Sequence, residues 1–350
     1  MTIALLALAL GQRLGASAAG TGSILSADSR RPGDITVGSD GNLWFPEMGT
    51  NRIGRITIAG AVQEFTIPGA SALGRAIATG PDGRLWVLGS GVDGLVHVWA
   101  VDTSGPANEI ASLGENPVLG IGFLPAGMTA GPDGNVWISE LSAIARVSAA
   151  GQVTEFPTGS GAVPTSITAG PDSHLWFVTS IGFIASRQGL SRITTEGLIE
   201  EVLQIQDRQG LSTPSSIITG PQGSLWFADN GYSEIVRVEL NPVRRTAFPF
   251  VGPSGLAAGP DGNIWITVPG RRAIARLTPS GVFTEFGLPT PQSDSLGIVA
   301  GPDGNLWFTE PEHGAIGRIT PDGVVTEFAL GRAVHVPLRS PRSPRSIRSR

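Results

Sequence analysis

Apolar positions in this chain come in short bursts rather than in long helical stripes. Leu306-Trp307-Phe308, Ile316 to Thr320 and Val324 to Phe328 are strand-length runs, preceded by Gly297-Ile298-Val299-Ala300. Asp303-Gly304 and Asp322-Gly323 separate them, and glycine supplies the positive φ that a tight hairpin turn requires. The stretch therefore predicts four antiparallel strands, here called a to d. Six weaker copies of it occur upstream. Their tryptophans, Trp44, Trp86, Trp137, Trp176, Trp226 and Trp265, reach Trp307 at spacings of 42, 51, 39, 50, 39 and 42 residues. Each follows a turn of the type GPDGNLW; only Trp99 falls outside the pattern. A four-strand unit of roughly 40 residues is the period of a propeller blade. The predicted fold is all-β: a seven-bladed β-propeller of four-stranded antiparallel blades over residues 33–330.

Strand direction assigns the two faces. The GPDG turn joins a to b and the TPDG-like turn joins c to d, so both lie on one face, the bottom. The b–c and d–a connections lie on the other, the top, and the long ones are all there: Ser112 to Pro125, Ser180 to Gln188 and Gln204 to Pro214. Long loops on one face of a rigid scaffold are where binding usually resides. Two of them carry Val118, Leu119, Ile121, Phe123, Phe183 and Ile184. This predicts a small-molecule pocket at the top of the central channel, with Arg75 and Ser254 near its wall. The competing reading is that these loops fold back and plug the channel.

Composition narrows the classes. The 350 residues include 49 Gly and 27 Pro, as expected of a turn-rich chain, and no Cys, which excludes disulfides and thiolate metal sites. All 24 basic residues are Arg against 29 acids, a net charge of −5, which argues against a nucleic-acid binder. Six of those Arg lie in 332–350 without any acid, leaving 18 − 29 = −11 for residues 1–331. Residues 331–350 thus read as a disordered basic tail. Ile3 to Leu10 is too short an apolar run to span a bilayer; with Ala16-Ser17-Ala18 after it, residues 1–18 read as a secretory signal peptide lacking the usual positive start, and 19–32 as a linker. Export is the expectation, a cytoplasmic location the alternative, and a monomer without a membrane span the expected state. No terminal strand is obviously shared between first and last blades; Ser23 to Ala27 is a weak candidate.

Recurrent residues read first as scaffold. The tryptophans are expected to pack between blades. An Arg recurs in strand c (Arg55, Arg146, Arg192, Arg237, Arg276, Arg318, with His97 in blade 2) and is expected to make ion pairs or stacking contacts. The acids that close strand b, Glu47, Glu140, Asp229 and Glu310, either bond backbone amides or form part of a ligand site. Blade 7 adds Asp294, Glu312 and His313, a set suited to a hard divalent cation or to proton transfer.

The sequence GPDGNLWFTE followed by AIGRITPDGVVTEF resembles the repeat of the virginiamycin B lyase (streptogramin lyase) family across about residues 33–330. The resemblance implies a seven-bladed propeller and, in the characterised enzymes, Mg²⁺-dependent opening of type B streptogramin rings by C–O elimination. Carried over position by position, it implies metal binding at Asp294 and Glu310. It also puts Ser254 and Leu296 where the family has histidines. The expectation is therefore a ligand-binding or diverged member, with Glu47, Glu140, Asp229, Arg75 and Ser254 toward the ligand. The alternative is an active lyase, an antibiotic-resistance enzyme using His313 and Glu310. A metal-dependent lactonase and a purely structural propeller are further readings.

Overall fold

The computed structural model describes residues 30–104, 107–114, 127–159, 162–181, 189–204, 213–291, 293–331 and 335–336. They form seven antiparallel sheets, and the helical content among them is two three-residue 3₁₀ turns, Pro221–Gly223 and Pro269–Arg271. Blade 7 is typical: Ile298–Ala300, Leu306–Glu310, Ala315–Ile319 and Val325–Ala329 pair in sequence order. The a strands touch their neighbours all the way round, including Ile298–Ala300 of blade 7 against Thr36–Val37 of blade 1. The architecture is a closed seven-bladed β-propeller.

Alternation along strand b builds the seams. Successive side chains point to opposite faces of a blade. Trp44 packs with Ile67, Leu73 and Leu85 of blade 2, whereas Phe45 packs with Trp307 and Ile316 of blade 7. The same alternation yields one buried apolar cluster at each of the seven seams. All seven repeat tryptophans are at most 1 % exposed. In six blades the indole N–H donates to the turn aspartate, as Trp307 does to Asp303 at 3.0 Å. Blade 5 has Gln222 in the turn, and Trp226 donates instead to Ser224. The first glycine of the turn seats the ring: a Cβ on Gly301 would lie 2.4 Å from Trp307.

The recurrent arginine is scaffold. Arg318 lies 5.6 Å from the Trp307 and Phe328 ring centres and donates to the Ile58 carbonyl of blade 1. Arg146, Arg237 and Arg276 likewise reach the c–d turn of the following blade. His97 is not its counterpart in blade 2. The register places Ala100 opposite Trp86, and Arg84 from the turn covers that indole at 5.7 Å. His97 instead sits between Asp93 and Glu109, 2.9 Å from each, and the two carboxylates raise its pKa against the opposing effect of burial.

Ring closure uses both ends of the described chain. Arg30 donates to the carbonyls of Leu330 and Gly331 and pairs with Glu64 at 2.6 Å. Thr309 of blade 7 donates to the Gly33 carbonyl at 2.7 Å. Beyond blade 7, His335–Val336 adds to blade 1 as a parallel fifth strand beside Val62–Thr66. Ser23 to Ala27 lies outside the described residues, as do residues 1–18.

Candidate functional site at the top of the channel

The upper ends of the inner strands in blades 6, 7, 1 and 2 form one continuous arc. Thr267 ties the first two together: its hydroxyl donates to the Leu296 carbonyl at 2.9 Å and accepts from the Gly255 amide at 2.7 Å. A Cβ on Gly255 would meet the Leu296 carbonyl at 2.5 Å, so glycine permits this approach of Ser254-Gly255 to Leu296. Gly297 makes the same approach to Asp34, and Gly33 to Arg75. The Asp34 amide then donates to the Arg75 carbonyl at 2.8 Å.

The arc is chemically uneven. Ser254 and Leu296 are half-buried. Arg75 is held bidentately by Asp34, at 2.8 and 3.3 Å, while its side chain stays 45 % exposed. The Asp34 carboxylate raises the Arg75 pKa, against burial. Asp34 is the residue that sequence reasoning missed. It stands in a Pro-Gly-Asp stretch before a two-residue strand, where only the pairing with blade 2 reveals its partner.

The acids at the end of strand b share the parity of the residue after tryptophan, so they lie in the seam with the preceding blade. Glu47, Asp229 and Glu310 are fully buried and Glu140 is half-buried. Their surroundings differ. Asp229 accepts from the Thr213, Gly231 and Tyr232 amides of its own blade, the amide-binding role. Glu47 pairs with Arg52 at 2.9 Å, beside Glu64. Burial, with Glu64 adding to it, pushes Glu47 up to about 7. Glu140 is pushed to about 7 by burial and by Glu155. Glu310 accepts a hydrogen bond from Ser293 on Oε2, while its Oε1 is buried without a hydrogen-bond partner. Burial, reinforced by Glu327 and opposed by Ser293, pushes it up to about 7.

Asp294 follows Ser293 directly and is half-buried between the buried Ser293 and Ser295; its carboxylate makes no hydrogen bond to Glu310, whose Oε2 is held by Ser293. Glu312 turns toward blade 1 and pairs with Arg31 at 2.6 Å. His313 is exposed in the b–c turn and makes no hydrogen bond to Glu310. Among the described residues no three His, Asp or Glu side chains converge on one metal position. Two cavities open between blades. One of about 120 Å³ lies between blades 3 and 4, the other of about 500 Å³ between blades 5 and 6, and neither is lined by Arg75 or Ser254. The loop residues Val118, Leu119, Ile121, Phe123, Phe183 and Ile184 lie outside the described residues.

Fold and arc together define a seven-bladed β-propeller with a polar arc along the upper ends of its inner strands and buried carboxyls at the ends of its b strands. The chain belongs to the virginiamycin B lyase family, whose model matches residues 12–104 and 111–339. Its fold is similar to that of a catalytically inactive histidine-to-alanine variant of virginiamycin B lyase from Staphylococcus aureus with quinupristin. That similarity has 26 % identity and a TM-score of 0.69, covering 84 % of this chain and 96 % of that one. A streptogramin B lyase structure matches at 26 % and 0.69, over 87 % and 95 %. Hydrazine synthase of Kuenenia stuttgartiensis, at 16 % identity and a TM-score of 0.64, over 90 % and 99 %, shares the fold alone. A search of curated protein sequences found no match. No helix among the described residues is long and apolar enough to cross a membrane.

Proposed function

We propose that this propeller is a diverged member of its family. It binds a small-molecule ligand at the top of the channel, with Mg²⁺ at Asp294 and Glu310, and does not perform the family's elimination. One observation carries the reading: at the two positions that the resemblance gives to histidines, the arc presents the hydroxyl of Ser254 and the isobutyl group of Leu296. Neither abstracts a proton at neutral pH without a partner. The protein whose histidine was replaced, in the similar structure, is described as catalytically inactive. Ligand recognition falls to Arg75, which Asp34 fixes in place with part of its guanidinium still exposed.

The residues present fit a weakly held Mg²⁺. The buried, unpartnered Oε1 of Glu310 suits a cation or one of its waters, and Mg²⁺ commonly binds through one or two carboxylates while keeping several waters. Bound there, the ion would supply polarisation of a ligand carbonyl. Calorimetry tests the reading: Asp294→Ala with Glu310→Ala should abolish Mg²⁺ binding, and Arg75→Ala should weaken a type B streptogramin or other ring-ester ligand. Unchanged binding of both would overturn it.

A second reading is favoured by Glu310 itself. A buried carboxyl poised near neutrality is suited to act as a general base. In that reading Glu310, or His313 with the b–c loop turned inward, takes a proton from the carbon adjacent to the one that bears the ester oxygen. The C–H electron pair forms a C=C bond, the C–O bond breaks, and the ester group leaves as carboxylate. The protein would then confer resistance to type B streptogramins, from outside the cytoplasm if the N-terminal segment directs export.

A further inference from the structure

The outer rim of the top face repeats one small unit, and the seam of blades 5 and 6 departs from it. In blades 1, 6 and 7 the residue that leaves strand d is aliphatic: Ile67, Leu288 or Leu330. Its amide donates to a carbonyl in the b–c turn of its own blade, that of Asn51, Arg272 or Gly314. In blade 5 the same bond, from Phe250 to the Ser233 carbonyl at 2.7 Å, carries an aromatic ring to that position. Just before the accepting carbonyl stand Tyr232 in blade 5 and Arg271 in blade 6, where blades 1 and 7 have Thr50 and His313. Ser233 and Arg272 both adopt left-handed backbone, with φ of 54° and 53°, a conformation that blade 7 gives to Gly314. Side chains rarely occupy that region, and such strain is commonly kept where a site uses the geometry.

These departures border a cleft of about 500 Å³, within the ~300–1,000 Å³ typical of small-molecule sites. Phe250 is fixed at its floor, with Phe283 stacked at 4.6 Å and the Arg271 guanidinium at 4.7 Å. Arg271 in turn pairs with Glu285 and donates to the Val251 carbonyl at 2.7 Å. What the cleft presents is the remainder: Tyr232 at 41 % and Val251 at 64 % exposure, beside a guanidinium and a carboxylate at 40 % and 36 %. A cation entering here would meet Arg271, and an anion would meet Glu285, so the fixed pair disfavours both. The pair still has hydrogen-bonding capacity, because a guanidinium carries five N–H donors and a carboxylate about four acceptor sites. A neutral ring with vicinal hydroxyls matches that array, since each hydroxyl both donates and accepts. Its C–H face matches the exposed Tyr232 ring and Val251.

We propose that the cleft between blades 5 and 6 binds a neutral saccharide, with vicinal hydroxyls on Arg271 and Glu285 and the sugar ring against Tyr232 and Val251. The site lies on the outer rim, apart from the channel arc, and does not depend on any activity there. Tyr232 is the sole tyrosine of the chain, so labelling the full chain with 3-fluorotyrosine places a single fluorine resonance at the cleft. Maltose, cellobiose and lactose are the probes, with sorbitol as a polyol that has vicinal hydroxyls but no ring. At least one disaccharide is expected to shift the resonance saturably, and sorbitol to leave it in place. Glu285→Gln, which keeps the shape of the side chain, is expected to weaken that binding about tenfold or more. Val251→Arg, at an exposed position, is expected to abolish it with the fold intact by circular dichroism. Failure of all three disaccharides to shift the resonance, an equal shift with sorbitol, or disaccharide binding untouched by both substitutions would overturn the proposal.

Discussion

The two ends of strand b in this propeller have been treated very differently. At the bottom, six of seven blades repeat one device, an aspartate accepting from the indole of the strand it introduces. Three residues beyond the tryptophan, at the top, the seven blades carry Glu47, Gly89, Glu140, Thr179, Asp229, Val268 and Glu310. The bottom device answers a requirement that every blade shares: a buried indole N–H needs an acceptor, and a tight turn needs Asp-Gly. The top position has no such common requirement. Its side chain enters a seam whose other residues differ, so it is free to become an ion pair, an amide cap, an apolar filler or a site. Uniformity marks scaffold, and divergence at equivalent positions marks where chemistry can be placed.

The largest effect that would test this contrast is at the bottom. Trp307→Ala should cost about 3–5 kcal/mol in denaturant unfolding, whereas Glu310→Gln at the top should cost none at pH 8. A loss of similar size in both would erase the distinction between scaffold and site.

The next effect is in pH. Glu47, Glu140 and Glu310 are each held near 7 in the folded chain, above the ordinary 4.5. Between these values the folded state binds more protons than the unfolded one. Their contribution is therefore complete below about 4.5 and is lost as pH rises through about 7. Thermal stability should fall across that window, and Glu310→Gln should flatten the fall. A rise instead would show the three carboxyls to be ionised and paired. The turn aspartates act in the opposite sense at lower pH. In Asp303, burial favours the neutral form, but bonds from Asn305 and Trp307 outweigh it and hold the pKa below the usual range. Its contribution should be present above about pH 4 and lost on further acidification.

Smaller effects refine the picture. Asp303→Ala leaves a buried indole N–H without its acceptor and should cost about 1–3 kcal/mol. Arg318→Ala removes a stacking contact and one bond to the Ile58 carbonyl, and should cost about 0.5–1 kcal/mol. An Arg318 effect larger than that of Asp303 would mean that the blades are joined more by their outer arginines than by the tryptophan seats.

Much of the scaffold was legible because its cause is local. The spacing of Trp44 to Trp307 and the Asp-Gly turns gave seven blades, and the strand-c arginines were readable as stacking residues. Blade 2 misled because its strand c holds Trp99 and carries no arginine, so His97 looked like the counterpart, when the neighbouring turn had supplied Arg84 to the same indole. The ring closure was not legible, since His335–Val336 is too short a segment to signal a strand and pairs across the whole sequence with blade 1. At the site, the acids were readable one by one. Their seams were not: Glu310 meeting Ser293, Asp34 holding Arg75, and the cleft beside Arg271 depend on pairings between blades that no local pattern encodes.

The most direct measurement is product analysis after incubation of the purified chain with a type B streptogramin and Mg²⁺, by chromatography and fragmentation, since elimination leaves the mass unchanged. The proposed reading predicts intact cyclic antibiotic with the native chain, and linear product appearing only when Ser254→His and Leu296→His are introduced together. Linear product from the native chain, lost in Glu310→Gln, would contradict it and establish the lyase reading instead.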